Sequence, residues 1–177
     1  MRRRHFLQHV TALALGWLGV SSCTRSDTAN ATSEQVGTPI TKLDKPLPEW
    51  KKLLPSKAYA VLFEEETERA GASPLNDEKR EGTFICAACY LPLFESKAKY
   101  ESGTGWPSFF QPIPGRLGMK TDYKLVYPRT EYHCLRCGGH QGHVFDDGPP
   151  PTGKRYCNNG VALNFVPTGE PLPALRT

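Results

Sequence analysis

Apolar residues are distributed unevenly along the chain and divide it into three parts. A mainly apolar stretch at residues 10–20 follows three consecutive arginines, and residues 24–40 carry almost no apolar side chains. From residue 48 onward, short segments with helical or strand-like spacing of apolar positions alternate with glycine and proline. The pattern therefore predicts a leader, a flexible linker and one folded domain.

The first 22 residues have the layout of an export signal. Three arginines precede the apolar stretch, and residues 3–8 resemble the twin-arginine signal, which exports folded cargo. Residues 20–23, Val-Ser-Ser-Cys, resemble a bacterial lipobox, in which the cysteine is lipidated and becomes the new N-terminus. General secretion and an ordinary cleavage site near Cys23 stay open. We expect a signal peptide at residues 1–22, export to the bacterial cell envelope (periplasm or lumen), and membrane attachment only through a lipid on Cys23.

Composition and net charge limit the number of domains and the kinds of partner that the chain can have. The 177 residues suit one domain with a tail, and we place a flexible linker at residues 23–46 and the folded domain at residues 47–177. Without the first 22 residues, which hold three arginines, 19 basic and 18 acidic residues remain, a net charge of +1. This balance does not favour nucleic-acid binding. No apolar run reaches the roughly 18–20 residues that cross a bilayer, so we expect no membrane-spanning helix. We also expect the protein to be a monomer.

The folded domain begins with helical spacing and continues with strand-like segments. A helix is predicted at residues 48–54, stopped by Pro55, and a second from a capping Ser56 to about residue 71. The solvated side of the second helix is expected to carry Glu64, Glu65, Glu66 and Glu68. Four later segments are short and rich in β-branched and aromatic residues: 82–86, 123–127, 131–134 and 160–166. The sequence therefore predicts a mostly-β small sandwich or open barrel with short N-terminal helices.

Two Cys-x-x-Cys pairs predict a metal site. Each pair can direct two thiolates to one point, and the four together form a tetrahedral site that suits zinc: Cys86, Cys89, Cys134 and Cys137. Four thiolates leave no open coordination position, so a single Zn²⁺ held there would be structural. Iron is an alternative metal, and disulfides are an alternative outside the cytosol.

Cys157 lies outside both pairs. In an extended strand, Arg155, Cys157 and Asn159 point to the same side, and a neighbouring cation favours the nucleophilic thiolate. The local chemistry leaves a nucleophile and a buried structural cysteine equally open. His140 and His143 follow the second cysteine pair and suit either acid–base chemistry or metal binding.

The loop at residues 102–110 carries three aromatic residues between glycine and proline. Such a loop can pack into the core or form one wall of a pocket for a small apolar group.

In this order, the motifs resemble those of the type B methionine sulfoxide reductases. The similarity runs from about residue 48 to residue 165 and rests on five segments: 82–89 (Gly-Thr-Phe-Ile-Cys-Ala-Ala-Cys), 105–109 (Gly-Trp-Pro-Ser-Phe), 134–137 (Cys-Leu-Arg-Cys), 142–149 with Gly-His-Val-Phe, and 155–157 (Arg-Tyr-Cys). The resemblance implies two antiparallel sheets with flanking helices, a structural zinc, and reduction of the R epimer of methionine sulfoxide in oxidised peptides and proteins.

The resemblance also implies residue roles. By position, Cys157 is the nucleophile that attacks the sulfoxide sulfur and becomes a sulfenic acid. His143 is the proton donor, with His140 beside it, and Trp106 holds the S-methyl group of the substrate. Asn159 orients bound water or substrate, while Arg155 and Asp147 place charge near the thiolate and tune its pKa.

Three positions depart from the family pattern. Many members carry a resolving cysteine just before the Gly-Trp pair, where this chain has Thr104. We therefore expect a one-cysteine cycle in which an external thiol, from a thioredoxin-like protein or a small molecule, reduces the sulfenic acid. Gln141 and Asn158 replace residues that are commonly apolar in the family, which leaves rate and substrate preference open. If Asn158 points away from Cys157, its effect is on packing.

Two other classes compete with a reductase. A zinc-ribbon-like binding module would use the cysteine pairs without chemistry at Cys157. A disulfide-stapled envelope adhesin would pair the four knuckle cysteines and leave Cys157 unpaired. Metal content separates the adhesin from the other two classes, and thiol reactivity of Cys157 separates the reductase from the binding module.

Overall fold

A computed structural model describes residues 40–125 and 127–177. The predicted signal peptide, the predicted lipid attachment site at Cys23 and residues 24–39 of the predicted linker lie outside the described residues. Neither α-helix in the described part of the chain is long and apolar enough to cross a membrane.

Within those residues the chain forms two α-helices and nine strands. The helices are α1 (Leu47–Leu53) and α2 (Ser56–Glu64). The strands are β1 (Gly82–Cys86), β2 (Pro92–Glu95), β3 (Lys99–Tyr100), β4 (Ser108–Phe109), β5 (Leu117–Asp122), β6 (Arg129–Cys134), β7 (His140–Phe145), β8 (Arg155–Asn158) and β9 (Leu163–Pro167). Short 3₁₀ turns lie at Pro74–Asn76, Ser96–Ala98 and Gly160–Ala162.

The strands form two antiparallel sheets, which confirms the predicted mostly-β class, and the sheets do not close into a barrel. One sheet has the order β2-β1-β9 and the other β3-β4-β8-β7-β6-β5. Aromatic side chains join them: Phe94 of β2 stacks on Phe109 of β4 with ring centroids 4.1 Å apart, and Phe84 of β1 meets Phe109 edge-on at 5.0 Å. All three rings are fully buried. Because β4 is a neighbour of β8, this aromatic contact anchors the strand that carries Cys157.

The first helix follows the prediction closely, and the second is shorter than predicted. Pro55 prevents α1 from continuing because its ring excludes helical geometry at the residue before it. Pro55 also occupies the N-cap position of α2, so the expectation that Ser56 caps this helix is wrong. The helix ends at Glu64, not near residue 71, because Glu65 adopts a left-handed conformation with φ of 55°.

The sequence suggested that the residues beyond Glu64 continue the solvated face of the second helix, but they do not form a helix. The carboxylate of Glu65 pairs with Lys120 of β5 at 2.5 Å and with Lys124 at 2.7 Å. Glu68 turns toward the end of β8 and accepts hydrogen bonds from backbone N–H groups there. The prediction fails for both residues because these contacts are with segments remote in the sequence.

Residues 40–46 run as an extended segment along the domain. Ile40 and Leu43 pack against the core, and the Leu43 N–H donates to the Arg136 carbonyl oxygen at 2.7 Å. Contacts to the folded region therefore reach back to residue 40, before the predicted boundary at residue 47.

Two predicted strands differ in the structure. In the predicted strand at residues 123–127, the described residues 123–125 and 127 are not in a strand, because the Asp122 side chain accepts a hydrogen bond from the Lys124 N–H and forms a turn at the end of β5. The segment at residues 160–166 begins with a 3₁₀ turn, and strand geometry starts only at Leu163.

Candidate active site and metal centre

Cys157 lies in the middle of the six-stranded sheet, on β8 between β4 and β7. Across these pairings it is directly opposite Ser108 on one side and His143 on the other. Its side chain is half-buried at a cavity of about 110 Å³. The cavity is lined by Thr67, Trp106, Arg129, Gly142, His143, Phe145, Cys157 and Asn159. The structure thus brings together four predicted site residues: Cys157, His143, Trp106 and Asn159.

His143 is held by an acidic partner that the sequence did not suggest. Its Nε2 lies 2.8 Å from Oδ2 of Asp122, which also accepts a hydrogen bond from Arg129 at 2.6 Å. The Lys124 N–H, followed by His143 and Arg129, holds the pKa of Asp122 well below its usual range. Because the resulting carboxylate can only accept, His143 must donate from Nε2. This leaves Nδ1 as the ring atom that can exchange a proton in the cavity.

Burial lowers the pKa of His143, and the carboxylate of Asp122 opposes this effect. A neutral imidazole is a proton acceptor, so His143 can take the proton of the Cys157 thiol. It can then return that proton to a leaving oxygen. The two residues face each other across an antiparallel pair, where side chains are about 5 Å apart.

His140 lies behind His143, away from the cavity. The pairing of β6 with β7 shifts so that Tyr132 faces Gly142 while His133 faces His140, which leaves Gln141 as the extra residue of a bulge. The bulge turns both histidines to one side, with ring centroids 5.4 Å apart. His140 is buried, and its Nδ1 lies 3.0 Å from Glu131. It can support the His143 ring but does not line the cavity.

Arg155 and Asp147 form a two-pronged ion pair beside the cavity. Both contacts, from Nε and Nη2 of Arg155 to the two carboxylate oxygens, are 2.8 Å long. The guanidinium also lies 4.3 Å from the ring centre of Phe145, which lines the cavity. Burial raises the pKa of Cys157, while the hydroxyl of Thr104 and the charge of Arg155 act to lower it. The charge of Arg155 thus acts in the direction expected from the sequence, its role at the thiolate stays a prediction, and its guanidinium packs against a cavity wall.

Asn159 and Glu68 connect the cavity to the segment after α2. The side chain of Asn159 donates to the Gln141 carbonyl oxygen at 3.0 Å and accepts from the Glu68 N–H at 2.9 Å. The Glu68 carboxylate accepts from the N–H groups of Gly160 and Val161, at 2.6 and 3.2 Å. The Glu68 carbonyl oxygen accepts from the Trp106 indole at 2.8 Å. These bonds fix the Trp106 ring and occupy the amide group of Asn159 within the protein.

Thr104, which the sequence analysis singled out as standing in place of a resolving cysteine, lies close to Cys157. Its hydroxyl oxygen is 4.0 Å from the Cys157 sulfur and 2.8 Å from the hydroxyl of Ser102. Ser102 in turn contacts the Ser108 hydroxyl at 2.7 Å. The loop therefore presents hydroxyl groups, and no thiol, to this side of Cys157.

The four knuckle cysteines meet at one point. Their sulfur atoms all lie within 4.8 Å of one another, with Cys86 and Cys137 at 3.7 Å and Cys89 and Cys134 at 3.5 Å. Four sulfurs bound to zinc at about 2.3 Å form a tetrahedron with edges of about 3.8 Å, so the cluster fits such an ion. None of the four is in a disulfide, whose sulfurs would be about 2.05 Å apart. The β1 and β6 strands end at Cys86 and Cys134, as the sequence predicted.

Comparison with known proteins identifies the family. A family model described as the SelR domain matches residues 54–167. The peptide methionine sulfoxide reductase MsrB of Pseudomonas putida (strain W619) is 49% identical over 127 residues, which cover 71% of this chain and 96% of that protein. The MsrB of Methanosarcina barkeri is 50% identical over 70% of this chain and 87% of its own length. The chain belongs to the SelR family of type B methionine sulfoxide reductases.

This membership confirms the resemblance found in the sequence. A relative from a plant, the chloroplastic peptide methionine sulfoxide reductase B1 of Arabidopsis thaliana, is 47% identical over 66% of this chain and 58% of its own length. The protein is therefore an oxidoreductase of this family and not a zinc-ribbon binding module. The adhesin interpretation also fails, because the knuckle cysteines are not paired as disulfides.

Several residues at the site were not identified from the sequence. They are Thr67, Glu68, Asp122, Arg129, Glu131 and Phe145. Phe145 carried a signal, because it stands two residues after His143 on the same strand and so shares its side. Glu68, Asp122 and Glu131 carried no such signal in the sequence, because their contacts depend on which distant segments become neighbours in the fold.

We expect Asp122→Asn to lower the catalytic efficiency by about 10- to 100-fold, which is less than most of the roughly 10²–10⁴-fold that general acid–base catalysis supplies, because the His143 ring itself is retained. The amide no longer fixes Nε2 of His143 as the donor, and the pKa of His143 falls because the carboxylate that raises it is gone. Steady-state kinetics and NMR titration of His143 measure the two effects. The control is Asp146→Asn, whose side chain is 84% exposed. Equal activity of the two variants would contradict the role of Asp122.

Proposed function

We propose that this enzyme reduces the R epimer of methionine sulfoxide in oxidised peptides and proteins, with Cys157 as the nucleophile. The observation that supports this best is the direct pairing of Cys157 with His143 across β7 and β8, at a cavity that Trp106 also lines. A nucleophile, a proton carrier and an aromatic wall therefore meet at one small opening.

The cavity suits the end of one side chain. At about 110 Å³, it is too small for a folded segment, so the peptide that carries the sulfoxide stays outside. Trp106 and Phe145 supply apolar surface for the S-methyl group. The sulfoxide oxygen then points toward His143 and the sulfur toward Cys157. Only one of the two epimers can satisfy all three contacts.

The reaction balances with groups that this chain provides. His143 takes the thiol proton of Cys157, and the thiolate attacks the sulfoxide sulfur. The attack forms a bond between the two sulfur atoms, and His143 returns the proton to the sulfoxide oxygen. The resulting hydroxyl then moves to the cysteine sulfur, while the new S–S bond and the S–O bond of the substrate both break and methionine is released. Methionine sulfur is reduced by two electrons and Cys157 is oxidised to a sulfenic acid. Arg155 stabilises the thiolate against the effect of burial.

An external thiol must complete the cycle. Among the described residues, the cysteines other than Cys157 all belong to the knuckle cluster. One thiol of a thioredoxin-like protein or small molecule condenses with the sulfenic acid to release water and form a mixed disulfide. A second thiol then releases Cys157 and leaves the donor oxidised.

The four knuckle cysteines hold a structural zinc in this proposal. The cluster has four thiolate ligands, and no further cysteine, histidine or carboxylate of the described residues belongs to it, so the metal supplies folding energy and no chemistry at the sulfoxide. It ties the end of β1 in one sheet to the end of β6 in the other. Export and lipid attachment at Cys23 stay predictions, because that segment lies outside the described residues.

The test is to incubate the zinc-loaded enzyme with a peptide that contains both sulfoxide epimers and with excess dithiothreitol. Chiral chromatography should show loss of the R epimer alone, and Cys157→Ser should abolish it. The matched control is Ser108→Ala, the other residue paired with β8 at this position, which should retain most activity. Loss of the S epimer, or activity that survives in Cys157→Ser, would refute the proposal.

A second prediction concerns the missing resolving cysteine. Because the Thr104 hydroxyl lies 4.0 Å from the Cys157 sulfur, Thr104→Cys should place a thiol within reach of the sulfenic acid. After one turnover without donor, this variant should lose two free thiols and form an internal disulfide with Cys157. Wild type and Thr168→Cys, a change on the exposed end beyond β9, should not. A disulfide to Cys157 in the wild type would contradict the one-cysteine cycle.

A further inference from the structure

A chain of three buried polar side chains runs from the strand of the nucleophile to the metal cluster. It consists of Tyr132, Asn158 and Gln141, and we call it the polar bridge. All three residues are fully buried. Burying an amide costs free energy unless its donor and acceptor find partners. The side-chain amides of Asn158 and Gln141 lie together in the buried core, so each must find hydrogen-bond partners there.

The contacts of the polar bridge follow one another. The Tyr132 hydroxyl donates to Oδ1 of Asn158 at 2.9 Å. Nδ2 of Asn158 donates to the backbone carbonyl oxygen of Asn159 at 2.8 Å and lies 3.4 Å from Oε1 of Gln141. Nε2 of Gln141 lies 3.5 Å from the sulfur of Cys86. The series thus ends at one of the four knuckle cysteines.

The direction of these bonds is fixed by groups that can only accept. The carbonyl of Asn159 requires the nitrogen of Asn158 to face it, so this nitrogen also faces Gln141. Gln141 must then present its oxygen to Asn158 and its nitrogen to Cys86. A metal-bound thiolate is likewise an acceptor, so every donor in the polar bridge points toward the cluster. Hydrogen bonds aligned in this way polarise and strengthen one another.

The local backbone explains how Gln141 reaches the sulfur. Gln141 is the extra residue of the bulge in β7, which changes the side to which its side chain points. Its carbonyl oxygen accepts from both the backbone and the side-chain N–H groups of Asn159, at 2.8 and 3.0 Å. Asn158 follows Cys157 and therefore points to the opposite face of β8. Both ends of the Gln141 residue are thus fixed before a metal binds.

We propose that Gln141 is a positioning residue of the metal cluster, which donates an N–H···S hydrogen bond to the metal-bound thiolate of Cys86 while Asn158 holds its amide in place. This inference rests on the proposed zinc site. Four thiolates carry more negative charge than Zn²⁺ neutralises, and Cys86 is fully buried, so water cannot supply the missing donor. Partners of this kind typically change metal affinity by about 10- to 100-fold. Gln141 and Asn158, which both stand where the family commonly has an apolar residue, then act together on the metal site.

The experiment measures zinc release from the full chain to an excess of a chromophoric chelator. Gln141→Leu should release zinc about 10- to 100-fold faster than wild type. Asn158→Leu should have a smaller effect, because Gln141 stays but is held less firmly. Gln111→Leu is the control, because this glutamine lines a different cavity with Glu95 and Lys97. Zinc content of the wild type is measured first.

The combined variant Tyr132→Phe/Gln141→Leu/Asn158→Leu separates metal binding from packing. Its three apolar side chains leave neither an amide nor the Tyr132 hydroxyl unpaired in the core, so its unfolding midpoint should recover relative to Gln141→Leu, while zinc release should stay fast. In the cobalt-substituted protein, loss of the N–H···S bond should move the thiolate-to-metal charge-transfer band to longer wavelength.

Two results would overturn the inference, and they differ from failure of the metal site itself. If wild type holds one zinc and Gln141→Leu releases it at the wild-type rate, Gln141 does not act on the metal. If the combined variant recovers slow release, the polar bridge serves packing alone. If wild type binds no metal but reduces the sulfoxide, both the zinc site and the role of Gln141 are wrong while the proposed reaction stands.

Discussion

The position of β8 between β4 and β7 is the constraint on which the active site depends. The antiparallel register places His143 beside Cys157 on one side and Ser108 on the other. At Gly142 the backbone of β7 lies so close to β8 that an added Cβ would be 1.9 Å from the Cys157 carbonyl oxygen. Only glycine allows this approach. The alignment of the proposed nucleophile and proton carrier is therefore set by backbone hydrogen bonds, not by flexible side chains.

Three groups of interactions keep this strand in place. The aromatic contacts of Phe109 anchor β4 to the three-stranded sheet. The knuckle cysteines bring the ends of β1 and β6 to one point, where a metal ion can join them, and the polar bridge connects that cluster to Asn158. Glu68 joins the segment after α2 to the turn that follows β8 and to the Trp106 indole. Each side of the cavity is thus supported by a different part of the fold.

Much of the site could be predicted from the sequence because its residues lie in short local motifs. The spacing of the cysteines, the strand that carries Arg155 and Cys157, and the Gly-Trp-Pro loop all depend on near neighbours. Asp122 and Glu68 could not be predicted, because their partners lie far along the chain. The bulge at Gln141 was also invisible, since a regular strand would have placed His140 and His143 on opposite faces. The chain directly after β5 differs from the predicted strand because the Asp122 side chain accepts a hydrogen bond from the backbone N–H of Lys124.

The central claim is that Cys157 alone receives the sulfoxide oxygen. The most direct measurement mixes reduced wild-type enzyme with excess methionine sulfoxide peptide without any thiol donor. It counts the methionine formed per enzyme and traps sulfenic acid with dimedone for peptide mass spectrometry. The account predicts one methionine per enzyme and a dimedone adduct at Cys157. A disulfide between Cys157 and a knuckle cysteine, or an adduct at another residue, would contradict it.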